Sequence, residues 1–275
     1  MVHELSEGFP VLIAFDLDDT LAPSKSPLPA GMGAALRALL AVRPVCIISG
    51  GQFGQFRSQV LDRLPADADL GGLHLMPTCG TRYMRFVDGA WCELYAHDLE
   101  PDQRRAAIDS IEHRAAELGL WEPDGTVDGE RIEDRGSQIT YSALGQEAPV
   151  DAKRSWDPDG AKREALRAAI AGDLPGLEVR AGGSTSIDIT RRGIDKAYGI
   201  NQLSAQTGIP LTGILFVGDR LMPGGNDHPV RTIGVPCHQV ADHHETLDYL
   251  GALIPVLAAG RRPGDELLDL LEPLA

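Results

Sequence analysis

The sequence predicts an α/β protein in which helices cover both faces of a parallel sheet and an α+β domain is inserted into this core. Two observations predict this. Short, continuous apolar runs at 11–15, 45–48 and 214–217 have the composition of parallel strands that are buried on both faces. Between about 82 and 187 the pattern changes to hairpins and alternating residues, which are typical of antiparallel pairing.

The core elements follow in order. The run 11–15 predicts the first strand, and 31–42 predicts a helix that Pro44 ends before a second strand at 45–48. The segment 52–64 predicts a second helix. The last third of the chain returns to this alternation, with a helix at 193–207, a buried strand at 214–217 and a short strand at 232–235. A Rossmann-like parallel sheet is the architecture that this alternation favours.

The middle of the chain has its own elements. Apolar segments on either side of the Asp88-Gly89 turn predict a hairpin, and 98–118 predicts an amphipathic helix with Asp98 as its cap. A strand or hairpin at 132–144, a helix at 161–171 and strands at 178–180 and 186–189 follow. We therefore expect a core formed by 1–81 and 188–275 and an α+β cap domain at 82–187, with hinges near Gly80 and Gly182-Gly183.

The net charge, the cysteine spacing and the lack of long apolar stretches argue against several classes of function. The chain has 275 residues and a formal net charge of -15, which disfavours binding to nucleic acid or to an anionic membrane. The four cysteines are scattered without a C-x-x-C pair, which argues against zinc and against a disulfide scaffold. No apolar stretch approaches the roughly 20 residues that span a bilayer, and the N-terminus carries acids where a signal peptide carries bases. A cytoplasmic location is the expectation.

Two acidic clusters follow predicted strands. Asp16 and Asp18 come directly after the first strand, and Asp219 follows 214–217 before a glycine-rich loop that carries Asn226 and Asp227. Because the carboxyl ends of parallel strands meet in one crevice, these side chains are expected to converge. Carboxylates are ligands for Mg²⁺, and a carboxylate can also attack phosphorus. A solvated acidic turn is the alternative for the first cluster alone.

Two further segments are suited to a phosphate group. Ser49-Gly50-Gly51 follows the second strand, where a hydroxyl and backbone amides at a helix start can bind an anion. Lys196 begins the helix at 193–207, where a cation is unfavourable unless an anion lies nearby. An ordinary turn and a surface lysine are the respective alternatives.

The four segments, in this order, resemble the signature motifs of the haloacid dehalogenase (HAD) superfamily. The insertion between the second and third resembles subfamily IIB, which has a large α/β cap, and 218–228 is similar to the eukaryotic-type phosphomannomutases. The resemblance implies that Asp16 is the nucleophile and Asp18 the general acid–base, while Ser49, Gly50 and Lys196 hold the phosphoryl group. It also implies a Mg²⁺ cofactor. The residues assigned to the metal are Asp16, Asp18 with the Leu17–Asp18 backbone, Asp219, Asn226 and Asp227. Asp19 stands where many members carry glycine.

The cap segments match the mutases only in part. Arg135, Ser186 and Asp188 match residues that bind substrate in the mutases. Gln146 stands where the family has an arginine that grips the distal phosphate, and Asp128 replaces another arginine. Neither an amide nor a carboxylate reproduces a bidentate arginine grip.

We therefore expect a Mg²⁺-dependent phosphatase that acts on a small phosphorylated metabolite through an aspartyl-phosphate intermediate. A sugar phosphate is the expected substrate class. A phosphomannomutase-type phosphohexomutase is the alternative, and a non-catalytic sensor is a third that the complete motif set disfavours. Cap-mediated dimers occur in the resembling mutases, so a homodimer is one of the states to expect.

Overall fold

The computed structural model describes residues 10–182 and 184–259. Within this range the chain forms two compact units. The core unit comprises the chain up to Ala96 and from Asp195 onward, and the inserted unit comprises His97–Ile194. Residues 1–9 and 260–275 of the predicted core, and Gly183 of the predicted hinge, lie outside the described residues.

The core unit contains a seven-stranded sheet in the order β11-β10-β1-β2-β3-β4-β5. The five strands from β11 to β3 run parallel, and β4 and β5 extend the sheet as an antiparallel hairpin. Strands β2 and β3 are added in turn on one side of β1, whereas β10 pairs with the other side of β1. Ligands bind at the carboxyl ends of the strands where the strand order reverses in this way, so a binding site is expected where β1, β2 and β10 end. The strands are β1 (Leu12–Phe15), β2 (Val45–Ile48), β3 (Leu73–Met76), β4 (Arg82–Val87), β5 (Ala90–Ala96), β10 (Ile214–Gly218) and β11 (Cys237–Gln239).

Helices cover both faces of this sheet, as predicted. Ile13 and Phe15 of β1 pack into an apolar cluster with α1, α2 and α9, whereas Leu12 and Ala14 pack into a second cluster with α7 and α8. The central strands β1, β2 and β10 are buried on both faces, which is why they have no polar side chain at any position. The helices are α1 (Ala30–Leu40), α2 (Phe53–Gln59), the single turn α3 (Pro77–Gly80), α7 (Lys196–Thr207), α8 (His228–Thr232) and α9 (His243–Ala258).

The inserted unit is α+β. Its four-stranded antiparallel sheet has the order β6-β7-β9-β8, and its helices α4 and α6 contribute to a separate apolar cluster. Alternate strand residues, such as Ile139 and Ile189, enter that cluster and leave the intervening polar residues on the opposite face. The elements are α4 (Pro101–Glu117), β6 (Ile132–Asp134), β7 (Gln138–Ser142), α5 (Val150–Trp156), α6 (Ala161–Asp173), β8 (Leu177–Ala181) and β9 (Ser186–Arg191).

Several sequence expectations differ from the structure. The N-cap of α4 is Glu100 and not the predicted Asp98, because Glu100 and Gln103 form a reciprocal capping box. The hairpin β4–β5, predicted as part of the cap, joins the core sheet because β4 pairs with β3, so the units divide after Ala96 and after Ile194. The strand predicted at 232–235 is wrong, because α8 ends at Thr232, Gly234 takes a positive φ of 82° in a turn, and the strand begins at Cys237. A glycine in that conformation turns the backbone out of an extended path.

Candidate active site

The carboxyl ends of β1, β2 and β10 place three predicted residues along one edge of the core sheet. Asp16 follows β1, Ser49 follows β2 and Asp219 follows β10. β1 lies between β2 and β10 in the sheet. Asp16 and Ser49 are each only 4% exposed, so both polar groups sit in a largely desolvated environment.

Asp16, Lys196 and Asp227 form a buried cluster at this edge. Nζ of Lys196 lies 2.6 Å from Oδ1 of Asp16 and 2.5 Å from Oδ1 of Asp227. The Asp227 side chain is fully buried, and its other oxygen accepts a hydrogen bond from the amide of Arg220 at 3.0 Å. A lysine buried at the start of a helix is therefore explained by the two carboxylates that it binds, as buried charges require a partner.

The cluster contains two carboxylates and one ammonium, and burial is the largest influence on the pKa values of Asp16 and Lys196. Burial raises the pKa of Asp16 to about 7, with Lys196 opposing this shift and Asp227 adding to it. Burial by itself would lower the pKa of Lys196, but the two carboxylates outweigh it and raise the pKa above its ordinary value. Burial, together with Asp227, also raises the pKa of Asp219. An additional cation is therefore favoured here.

The carboxylate set fits a divalent cation. Oxygens of Asp16, Asp219 and Asp227 all lie within 4.8 Å of one another. Oδ1 of Asp16 is occupied by the Leu17 amide and by Lys196, whereas its Oδ2 accepts no hydrogen bond from any described residue. A carboxylate oxygen without a donor is suited to Mg²⁺, which prefers oxygen ligands. Asn226 precedes Asp227 in the same loop.

Asp18 is positioned differently from Asp16. Its carboxylate lies outside the group of three, accepting a hydrogen bond from the Lys25 amide at 2.6 Å and contacts from the amides of Gln55 and Gln59 at 3.4 Å. A Cβ on Gly51 would lie 2.0 Å from Oε1 of Gln55, so a larger residue at position 51 would displace the end of this side chain. Sequence reasoning missed both glutamines, although their spacing on one face of the predicted helix was a usable signal.

Thr20 and Asp19 shape the loop after β1. The Thr20 hydroxyl donates to Oδ1 of Asp219 at 3.3 Å and accepts from the Asp219 backbone amide at 3.1 Å. These hydrogen bonds connect the loop after β1 to the loop after β10. Asp19 has a φ of 61°, a left-handed conformation that favours glycine and that aspartate tolerates. This explains why glycine and aspartate are both acceptable at this position.

The loop Ser49–Gly51 is held by α3. The amides of Thr78 and Cys79 donate to the carbonyls of Gly51 and Ser49 at 3.0 and 2.9 Å. Thr78 and Cys79 have φ values of 49° and 54°, which are unfavourable for residues with a side chain. The Ser49 hydroxyl accepts from the Gly51 amide at 3.3 Å. The candidate phosphate-binding loop is thus supported by a strained turn that the sequence did not reveal.

A contact between two glycines sets the position of α7, which carries Lys196. A Cβ on Gly80 would lie 2.4 Å from the Cα of Gly199, and a Cβ on Gly199 would lie 2.7 Å from the Cys79 carbonyl oxygen. Gly80, predicted as a hinge, therefore lies inside the core unit and packs against α7. The close approach requires glycine on both sides.

We expect Gly199→Ala to destabilise the protein by about 1–3 kcal/mol and to lower activity, because α7 and Lys196 must shift away from backbone atoms. Gly251→Ala is the matched control, since Gly251 also lies in a helix and a Cβ added there would meet no atom within 4 Å. That variant should gain up to about 1 kcal/mol from helix propensity. Chemical denaturation measures both. Equal effects of the two substitutions would contradict the packing argument.

The remaining predicted residues lie in the inserted unit. Oδ1 of Asp188 accepts from Gln138 and Thr140, each at 2.8 Å, and Ser186 lies two residues earlier on the same strand face. Arg135 forms a salt bridge of 2.6 Å with Glu133. The structure thus brings Ser186 and Asp188 to one polar sheet face, where sequence reasoning missed Gln138 and Thr140.

Gln146 and Asp128, the two positions that the resemblance predicts to differ from the mutases, lie on adjoining segments of this unit. The backbone amide of Gln146 donates to the backbone carbonyl of Glu130 at 3.0 Å, and the backbone amide of Asp128 donates to the backbone carbonyl of Leu144 at 2.9 Å. The Lys153 ammonium donates to the Gln146 carbonyl at 2.8 Å. Gln146 is half-buried and Asp128 is exposed, and neither side chain supplies a positive charge.

Within the described chain, no helix combines the length and apolar character needed to cross a membrane.

Comparison with known proteins agrees with this geometry. The family model for eukaryotic phosphomannomutase matches residues 123–254. The phosphomannomutase of Saccharomyces cerevisiae is 26% identical over 258 residues, covering 88% of this chain and 93% of that protein. The phosphomannomutase of Schizosaccharomyces pombe is 25% identical over 253 residues, covering 86% of this chain and 91% of that protein.

Solved structures show the same fold. ATP-bound Plasmodium falciparum IMP-nucleotidase matches with a TM-score of 0.69 at 15% identity, covering 94% of this chain and 63% of that one. A trehalose-6-phosphate phosphatase related protein matches with a TM-score of 0.53 at 16% identity, covering 91% of this chain and 100% of that one. The resemblance inferred from the four motifs is confirmed by these sequence and structural relatives. The chain is similar in sequence to the phosphomannomutases, in agreement with its resemblance to the haloacid dehalogenase superfamily.

Proposed function

We propose that this protein is a Mg²⁺-dependent phosphatase that hydrolyses a small phosphorylated metabolite through an aspartyl-phosphate on Asp16. The observation that carries the proposal is the buried contact of 2.6 Å between Asp16 and Lys196 at the carboxyl edge of the sheet. A sugar phosphate is the proposed substrate class, because the curated relatives are named phosphomannomutases.

The residues divide the reaction between them. The Leu17 amide and Lys196 hold Oδ1 of Asp16, which fixes the plane of the nucleophilic carboxylate. An Asp16 oxygen attacks phosphorus while the bond to the leaving oxygen breaks, and Asp18 gives that oxygen a proton. Water then attacks phosphorus of the aspartyl-phosphate and gives a proton to Asp18, which breaks the bond to Asp16, releases inorganic phosphate and restores both carboxyl groups.

Positive charge is the second requirement of phosphoryl transfer. Lys196, the Ser49 hydroxyl and Gly50 are proposed to bind the phosphoryl oxygens. Mg²⁺, held by Asp16, Asp219 and the loop containing Asp227, supplies further charge when bound. Phosphate release from p-nitrophenyl phosphate that is lost with EDTA and restored by Mg²⁺ tests this dependence. Full turnover in EDTA would contradict it.

A phosphohexomutase is the second candidate, and the match to the eukaryotic phosphomannomutase model favours it. A mutase must grip a sugar bisphosphate in two orientations, and Gln146 and Asp128 lack the guanidinium groups that the mutases use for this. The assay is mannose 1-phosphate with and without a hexose 1,6-bisphosphate. Phosphate release that exceeds isomerisation supports the phosphatase, and the opposite ratio establishes the mutase.

Asp18→Asn tests the proposed acid. We expect the rate on an alkyl or sugar phosphate to fall by about 10²–10⁴-fold, because the poor leaving group needs a proton. The loss on p-nitrophenyl phosphate should be much smaller, since its leaving group is stable as an anion. Steady-state rates on both substrates measure the difference. An equal loss on both would assign Asp18 a role in binding or positioning instead.

A further inference from the structure

The core unit has a cavity of about 390 Å³ away from the catalytic edge. It is lined by His74, Tyr83 and Arg85 of β3 and β4, by Val87 and Leu94 of the hairpin, and by the C-terminal end of α7 with Ile209. Lys196 begins α7 and Thr207 ends it, so the cavity lies about 16 Å from the catalytic lysine along the helix axis. It is therefore a separate site.

Arg85 brings a positive charge to this cavity. Its Nη2 donates to the Gly71 carbonyl at 2.5 Å, and its Nη1 lies 2.9 Å from both ring nitrogens of His74 and 3.3 Å from the Tyr83 hydroxyl. Its Nε is buried without a hydrogen-bond acceptor. Among the residues described, no aspartate or glutamate forms a salt bridge with Arg85. In a protein with a net charge of -15, a guanidinium without a carboxylate partner is an uncompensated charge that an anion would neutralise.

His74 does not provide that compensation. It is only 4% exposed and lies 2.6 Å, through Nδ1, from the Tyr83 hydroxyl. Burial and the neighbouring Arg85 lower the pKa of His74 to about 3, so the ring is neutral. The charge of the cavity lining is therefore that of Arg85 alone.

The rest of the lining is apolar and accessible. Val87 is 45% exposed and Leu94 is 52% exposed, which makes them two of the few large apolar side chains exposed on the described surface. Both lie at this cavity, together with the half-buried Ile209. Apolar side chains gathered beside one unsatisfied cation match an amphiphilic anion rather than water.

We infer that this cavity is a second binding site, and that it takes a small monocarboxylate with an apolar body, whose carboxylate binds Arg85 while the body packs against Val87, Leu94 and Ile209. A carboxylate fits better than a phosphate, because one guanidinium balances a single negative charge and the lining contributes no second cation.

The test titrates the full chain with benzoate at pH 7.5 and follows binding by NMR or calorimetry, with benzyl alcohol as the neutral analogue of similar shape. We expect benzoate to bind at least about tenfold more tightly than benzyl alcohol, as a charge-assisted hydrogen bond implies. Leu94→Glu should weaken benzoate binding by about tenfold or more, because it places a carboxylate beside Arg85. Leu118→Glu is the matched control on an exposed leucine that follows α4, and it should bind benzoate as the unaltered protein does.

Four results would overturn the inference. These are no benzoate binding, equal binding of benzyl alcohol, equal effects of Leu94→Glu and Leu118→Glu, or benzoate that competes with p-nitrophenyl phosphate at the catalytic site. Arg85→Gln gives an independent readout wherever its thermal unfolding matches that of the unaltered protein, and it should also lose the preference for benzoate. Phosphatase activity of Leu94→Glu should be unchanged, so this test does not depend on the proposed function.

Discussion

Asp16→Asn is expected to lower phosphate release by at least about 10⁴-fold while leaving the protein folded, because the amide cannot form the aspartyl-phosphate. The substitution keeps the shape of a side chain that is 4% exposed, so packing is preserved. It also removes one of the two carboxylates that Lys196 must balance. Asp227 still binds Lys196 at 2.5 Å, so the ammonium is not left without a partner.

Asp19→Asn is the matched control for this variant. It makes the same chemical change three residues along the loop, at an exposed side chain, and asparagine tolerates the left-handed φ of 61°. Its activity should stay within a fewfold of the unaltered protein. Mg²⁺-dependent turnover of p-nitrophenyl phosphate, together with thermal unfolding, measures both variants. If Asp16→Asn kept its activity, the assignment of Asp16 as nucleophile would fail.

Lys196→Met is expected to produce the largest loss of stability, about 3–5 kcal/mol, because it leaves two buried carboxylates without their cation. Asp16 and Asp227 are 5% and 0% exposed at their side chains, so water cannot take over the role of the ammonium. Methionine has a length and volume similar to those of lysine, so the substitution leaves no large cavity. The loss of stability therefore measures the effect of removing the positive charge. Activity should disappear as well.

The double variant Lys196→Met/Asp227→Asn separates this explanation from simple misfolding. Neutralising Asp227 removes one of the two unpaired charges, so the double variant should be more stable than Lys196→Met alone. Lys162→Met, an exposed lysine on α6, should change stability by less than about 1 kcal/mol. Urea unfolding in EDTA compares the three. A double variant that is less stable than the single variant would refute the charge explanation.

The core architecture was predictable because its strands carry a strong local signal. The runs at β1, β2 and β10 are apolar at each position, which follows from burial on both faces, and each leads directly into a polar cluster. The convergence of Asp16, Asp219 and Asp227 followed from the rule that parallel strands end at one edge. The family resemblance then implied roles for these residues.

The attachment of the hairpin at 82–96 was not predictable from local pattern. Alternation and the Asp88-Gly89 turn indicate antiparallel pairing, but they do not say which sheet the hairpin extends. Pairing between His74 and Arg85 decides that it extends the core sheet. The roles of Gln55, Gln59 and Thr20 were hidden for a related reason, since each acts through a hydrogen bond to an acidic residue of a different segment or loop position.

The sequence by itself determined the fold class, the order of the four motifs and the acidic residues at the strand ends, because each depends on neighbouring residues or a fixed spacing. Only the tertiary structure decided that Lys196 is shared between Asp16 and Asp227, that Gly199 and Gly80 allow α7 to approach the sheet, and that Arg85 lacks a carboxylate partner among the described residues. These features depend on contacts between residues far apart in the chain. Their geometry is set by packing, which no local pattern encodes.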